Sequence, residues 1–308
     1  QVAQQIQESF DEGDHSAVIT RCRSCLSAEA DIPKKLWYYY ARSLEAMGQL
    51  EEAIAAYRCE IARCDRTPPV LIAHIGSLLV ERGQLREAAI CLKVSTELDP
   101  SPEGLVLYAS TLYRLGRCAD ARSILQYALT VDSLYDEAWH NLGSYLLDSR
   151  PKEAEAAFRR AIEIAPGRAV SFGGLARAYL VQGRLEDSIA AASEGLLKDP
   201  CSGLCYTLLG EAHEMAGDDE AARLAFLKAF RFVNEKPFVI LALARIELSL
   251  GHPQEALLWY DRGLRGWPDD ARIRDACRQF IDGQGTSGQD TARLEILYRQ
   301  IDQISQSP

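Results

Sequence analysis

Small residues recur along this chain at a spacing close to 34, and that spacing constrains the fold more than any other feature. Ala41, Gly76, Ala109, Gly143, Ala176, Gly210 and Ala244 are separated by 35, 33, 34, 33, 34 and 34 residues. A glycine stands seven residues after all but one of them, at Gly48, Gly83, Gly116, Gly183, Gly217 and Gly251. The Gly143 unit carries Ser149-Arg150-Pro151 instead. A second small residue follows at Ala53, Ala88, Ala121, Ala154, Ser188, Ala222 and Ala256, and prolines close four units at Pro100, Pro166, Pro200 and Pro268. Repetition at this period means stacked supersecondary units that bury their faces against neighbours. It also accounts for the length, because 308 residues exceed what one compact core usually holds.

Each mark has a physical reason. Four residues before the first small residue sits a large side chain: Trp37, Ile72, Leu105, Trp139, Phe172, Tyr206 or Ile240. Immediately before it sits Tyr40, Ile75, Tyr108, Leu142, Leu175, Leu209 or Leu243. That spacing predicts an apolar stripe on a first helix. The small residue lets a second helix approach, and the glycine takes the left-handed conformation that ends a helix. The second helix then presents Tyr57, Leu92, Leu125, Phe158, Ala192, Phe226 or Tyr260 four residues after its own small residue. Proline stops that helix.

This pattern resembles the tetratricopeptide repeat (TPR) family, over nearly the whole chain. The clearest unit runs from Asp136 to Pro166, with Trp139, Leu142-Gly143, Ala154, Phe158, Ala161 and Pro166 in the family's places. Departures include Glu60 where a small residue is usual, and Asp65, Ser133 and Asn234 where proline is usual. The resemblance implies an all-α fold, a right-handed superhelical solenoid of antiparallel helix pairs. Seven repeats are expected at 34–68, 69–101, 102–135, 136–168, 169–202, 203–236 and 237–270. Residues 1–33 read as a degenerate or truncated hairpin, and 271–308 as capping helices joined by a glycine-rich linker. In that last segment Ile273, Cys277 and Phe280 mark one helix. Leu294, Leu297, Tyr298, Ile301 and Ile304 mark a final one that covers the exposed end of the stack.

Charge and cysteine usage narrow the function classes. Asp plus Glu outnumber Lys plus Arg by 44 to 34, a net charge of −10. That disfavours nucleic-acid binding, which displaces counterions with a basic surface, and electrostatic attachment to an anionic membrane. No run of about eighteen apolar residues predicts a membrane span, and Gln1–Phe10 lack the basic start and apolar block of a signal peptide. The chain opens at Gln1 with no initiator methionine, which points to a fragment or processed product. Nine dispersed cysteines suit reduced thiols and a cytoplasmic location.

The chemical motifs have bland readings. Gly283, Gly285 and Gly288 match a dinucleotide-binding spacing, but no strand precedes them, so a linker is expected. Cys22 and Cys25 form one CxxC without a second pair to complete a zinc site. It is read, with the Cys59/Cys64 and Cys201/Cys205 pairs, as small residues buried in helix interfaces. Asp218, after the turn glycine Gly217, is expected to cap a helix start, with Glu220 favouring its positive end. No residues gather for catalysis, so no enzyme activity, cofactor or metal is expected.

The resemblance further implies that first helices line a concave surface where peptides or partner helices bind. The inward positions read off as Tyr38, Tyr39 and Arg42; His74 and Ser77; Ser110, Tyr113 and Arg114; His140, Asn141 and Ser144; Arg177; Thr207, Glu211 and Glu214; and Arg245. Arg42, Arg114, Arg177 and Arg245 put positive charge on that face of an acidic chain, and the tyrosines add interface-type anchors. Two readings stand: a groove for an acidic peptide segment, or arginines that pair with neighbours such as Glu211 and Glu214. Some members of the family grip a terminal carboxylate with a lysine–asparagine clamp, and others carry an asparagine ladder. Neither set is found here, since Asn141 stands alone. The function expected is a scaffold or adaptor that binds a protein or peptide. The alternatives are a regulatory domain of a larger enzyme and a structural subunit of a multiprotein assembly.

Overall fold

A computed structural model describes residues 2–27, 32–33, 35–233, 236–284, 295–296 and 298–299. Among them are seventeen helices and no strand. The chain divides into two units, Gln1–Asn141 and Leu142–Pro308. The first holds α1 (Val2–Asp11), α2 (His15–Ser27), α3 (Leu36–Ala46), α4 (Leu50–Ala62), α5 (Pro69–Glu81), α6 (Leu85–Leu98), α7 (Pro102–Arg114) and α8 (Cys118–Val131). The division falls inside α9 (Asp136–Leu146). The second unit continues with α10 (Pro151–Ile164), α11 (Ala169–Val181), α12 (Leu185–Lys198) and α13 (Gly203–Met215). Then follow α14 (Asp219–Phe232), α15 (Lys236–Ser249), α16 (Pro253–Gly266) and α17 (Ala271–Gln284). Of the final helix expected near the carboxy terminus, Leu294, Leu297, Ile301 and Ile304 lie outside the described residues. So do Asn234, Gly285 and Gly288. Tyr298 packs against the cluster of Ala244, Tyr260, Leu264, Ile273, Cys277 and Phe280.

The turn glycines do what the sequence predicts. Gly48, Gly83, Gly116, Gly183, Gly217 and Gly251 all have φ between 72° and 79°. The left-handed residue lets the next N–H reach back into the helix, as Gln49 N does to Leu44 O at 2.8 Å and Asp218 N to His213 O at 2.9 Å. In the unit without the glycine, Arg150 N bonds Leu146 O at 2.7 Å and Pro151 opens the next helix. Asp218 caps α14, accepting from Ala221 N at 3.1 Å.

The small residues are needed for the packing of each pair. A Cβ at Gly210 would stand 2.7 Å from the ring of Phe226, and one at Gly76 2.7 Å from Leu92 Cγ. On the second helices Tyr57, Leu92, Leu125, Phe158, Ala192, Phe226 and Tyr260 are all buried, as their register predicts.

The first-helix stripe needs a correction. Trp37, Trp139, Phe172 and Tyr206 are only half buried, and each is preceded by a fully buried residue: Leu36, Ala138, Ser171 or Cys205. Two residues after the small position, Ser43, Leu78, Thr111, Ala178, Ala212 and Ile246 are also buried. These places lie opposite the small residue, since a step of two residues turns the helix by about 200°. That second face packs on the second helix of the preceding pair, α6 on α7 in the first unit and α12 on α13 in the second. Beside Leu36, Leu78 and Ile246, its side chains are short or hydroxylic and gave little hydrophobic signal. The Thr111 hydroxyl donates to Leu107 O at 2.8 Å, so its burial leaves no polar atom unpaired.

Candidate protein-interaction site

In the first unit α3 and α5 place Arg42, Glu45 and His74 around the hydroxyl of Tyr57. Arg42 Nη1 lies 3.2 Å from Glu45 Oε2, and Tyr57 Oη donates to the same carboxylate at 2.9 Å. Burial would lower the Arg42 pKa, but Glu45, Tyr57 and Tyr38 together outweigh it and the net direction is up. The His74 ring lies parallel to that of Tyr57, centroids 5.8 Å apart and 3° between planes. Burial pushes the His74 pKa down, with Glu45 opposing and Arg42 reinforcing. A cleft of about 280 Å³ opens beside His74, with Val70, Ala73, Ser77 and Leu107 on its walls and Asp99 and Glu103 at its rim.

The second unit arranges like side chains differently. Arg245 from α15 forks onto Glu214 of α13, with Nε–Oε1 2.6 Å and Nη2–Oε2 2.8 Å. Arg177 of α11 faces Glu211 of α13 at 3.8 Å, a longer contact. Burial raises the Glu211 pKa, since Arg177 and Arg245 compensate only partly for lost solvation and Glu214 adds repulsion.

The structure thus brings Arg42 and His74 together in one unit, and Arg177, Glu211 and Arg245 together in the other. Three of the four arginines are held by glutamates of their own unit. Arg114, exposed on the last turn of α7, makes no ion pair among the described residues. Tyr38 and Tyr39 are half buried, and the Tyr39 ring packs 5.1 Å from Phe10 of α1, so both also serve the core. Tyr113 is 37% exposed, and His140 and Asn141 are half buried on α9. Thr207 is buried rather than presented, its hydroxyl spent on Gly203 O at 2.9 Å. Sequence reasoning missed Glu45 and Tyr57 as parts of the site. The signal available was Glu45 three residues after Arg42, a spacing that pairs side chains on a helix.

The thiols also need correcting. Cys22, Cys205 and Cys277 are buried, but Cys59 and Cys201 are exposed and not interface fillers. None of the nine is in a disulfide. Burial, aided by Cys25, pushes the Cys22 thiol up to about 12, so it is not a thiolate at neutral pH. Among the described residues no group of three or more His, Cys, Asp or Glu is placed to hold a metal ion. None of the helices there is long and apolar enough to cross a membrane.

Two sequence profiles described as tetratricopeptide repeat match residues 106–169 and 145–209. The chain carries TPR repeats. It is 28% identical over 156 residues to anaphase-promoting complex subunit 7 of Arabidopsis thaliana, a match covering 49% of this chain and 28% of that protein. The match thus spans under a third of the relative's length. A tetratricopeptide repeat protein from Parabacteroides merdae superposes with a TM-score of 0.67 at 16% identity, over 80% of this chain and 98% of that one. The structure of the APC/C hetero-tetramer Cut9–Hcn1 gives 0.63 at 14% identity, over 91% and 55%. At these identities the structural likeness establishes the fold. The TPR chain is all-α, of the TPR solenoid class, and in general terms a protein-interaction scaffold. TPR proteins are in general non-enzymatic.

Proposed function

We propose that this TPR protein holds segments of a partner protein on the first-helix face of each of its two units. The observation that carries this is the polar, solvent-reaching set that first helices present near their small residues: Arg42 and His74 in one unit, Arg177, Glu211 and Arg245 in the other. On the second helices the residues four after the small position, from Tyr57 to Tyr260, are buried instead. A segment offering both carboxylates and hydrogen-bond donors matches this alternation of sign. The purely acidic segment that the arginines alone suggest would exchange places with Glu45, Glu211 and Glu214. Exposed pairs of this kind contribute only about 0–1 kcal/mol, so exchange costs little. Nine unbridged thiols favour a reducing compartment such as the cytoplasm.

The test is affinity capture from source cells with quantitative mass spectrometry, comparing wild type with the combined Arg42→Glu, Arg177→Glu, Arg245→Glu protein. Circular dichroism first verifies equal folding. A partner lost only by the variant is expected, and undiminished capture would reject the first-helix faces. A second reading, a structural subunit of a multiprotein assembly, is favoured by the likeness to the plant complex subunit. It predicts stable co-purification that the triple variant leaves intact.

A further inference from the structure

We infer that the exposed side of α14, with the adjoining parts of α15 and α16, is a separate docking surface for an acidic segment of a partner protein. This does not rest on the first-helix reading. The surface runs against the charge of the chain: residues 221–233 contain Arg223, Lys228 and Arg231 and no carboxylate, in a protein of net charge −10. Arg223 is saturated by Glu247 at 2.8 Å and Glu220 at 3.4 Å. Lys228, Arg231, Lys236 and Arg262 make no ion pair among the described residues.

Three of these cations sit over aromatic rings instead. The Arg262 guanidinium lies 4.4 Å from the Phe230 centroid and 5.6 Å from that of Trp259. The Lys236 ammonium is 4.8 Å from Phe230, and Phe230 and Trp259 meet edge to face at 5.5 Å. Lys228 stands 5.6 Å from the ring of Tyr206. With no carboxylate paired to it among the described residues, the guanidinium over the ring keeps N–H donors that can fork onto a ligand's carboxylate. The ring also restrains the side chain before binding, which lowers the ordering cost of association.

Apolar surface adjoins the charge. Leu224 is 57% exposed and Leu258 66%, both out of keeping with a solvated helix face. Spacings of three and four put Leu224, Lys228 and Arg231 on one stripe of α14. Between α14 and α16 a cleft of about 320 Å³ is lined by Leu227, Leu258, Trp259 and Arg262, with Arg223, Glu247 and Glu255 as its other charged walls. The exposed carboxylate of Glu255 lies seven residues from Arg262 on α16, so it directs an acidic ligand toward the Arg262 end. The ligand chemistry that fits is carboxylates interspersed with aliphatic side chains.

The experiment is fluorescence anisotropy with a short labelled peptide of Asp, Glu and Leu, against its Asn/Gln/Leu counterpart and single-stranded oligothymidine. The proteins are wild type, Arg231→Glu with Arg262→Glu, and Arg177→Glu with Arg245→Glu, each verified as folded. The acidic peptide is expected to bind wild type, to bind the α14/α16 variant about tenfold or more weakly, and to weaken with added salt. The first-helix variant reads any binding on those faces separately, and is expected to lose less than the α14/α16 variant. No binding to wild type, equal binding of the amide peptide, tighter binding of oligothymidine, or an unchanged α14/α16 variant would overturn the proposal. Loss confined to the first-helix variant would also overturn it, while supporting the first-helix reading. If the double reversal fails to fold, the exposed Arg231→Gln is read alone, with a smaller loss expected and no loss overturning the assignment.

Discussion

Arg42 and Arg245 occupy the same place in their repeats, one residue after the small position, yet they do different work. In the first unit Arg42 turns to Glu45 on its own helix, and Tyr57 ties that carboxylate to the core. In the second, Arg245 reaches back one repeat to Glu214, which holds the register that Glu45 holds in its repeat. The local sequence explains the choice. Four residues after Ala244 stands Leu248, so Arg245 has no acid on its own helix at that spacing, whereas the repeat after Arg42 offers Ser77 and no arginine. Arg177 has Leu180 ahead on its own helix and Leu147 one repeat back, and so turns forward to Glu211. One register therefore yields either a face anchored to its own core or a strap between successive repeats.

The comparison breaks most readily at the core. Phe226 occupies in the second unit the place of Tyr57 in the first, and both are fully buried. Phe226→Ala is expected to cost about 3–5 kcal/mol, from lost burial plus the cavity left behind. Urea denaturation followed by circular dichroism measures it, and a cost under about 1 kcal/mol would refute the packing described. Next in size is Gly210→Ala, whose new methyl must displace the Phe226 ring. A loss of about 1–3 kcal/mol is expected, read in the same denaturation experiment, and a neutral result would show that the pair of helices yields. Tyr57→Phe keeps the ring and removes one hydrogen bond, for an expected loss of about 1 kcal/mol. It should also release Glu45, seen as a shifted carboxyl resonance by NMR; an unmoved resonance would mean Tyr57 is no anchor.

The smallest effect separates the units by pH. His74 has its pKa lowered by burial, so its stabilising contribution is complete above the unfolded value of 6.5 and is lost as pH falls through the folded one. Glu211 has its pKa raised by burial, so its charged form costs stability at neutral pH. That cost is relieved as pH falls through the raised value toward 4.5. Between these limits acidification loosens the first unit and tightens the second. In Glu155, burial is outweighed by hydrogen bonds from Gln182 and Arg159 and by the Arg184 charge, so its pKa is lowered and its loss begins only below 4.5. Hydrogen exchange of α5 and α13, compared at pH 7 and 5.5 after correction for intrinsic rates, reads both signs. His74→Phe should abolish the change in α5 and Glu211→Gln that in α13. Shifts of one sign in both helices would remove the distinction.

The sequence by itself determined the helical-repeat class, the turn glycines and the buried second-helix residues from Tyr57 to Tyr260. Each of these is a local requirement: a left-handed φ, a close approach or a period of 3.6 is written into neighbouring residues. Half of the first-helix core was not legible, because Ser43, Thr111 and Ser171 look like surface residues until a preceding helix covers them. The candidate site was legible as a set of positions and not as a set of interactions. Whether an arginine such as Arg245 stands free, pairs along its helix or reaches to another repeat depends on which carboxylates come within about 4 Å, and stacking alone brings residues 31 apart in the chain to that distance. The same holds for Lys236 of α15 and Arg262 of α16, which only the tertiary structure gathers around Phe230.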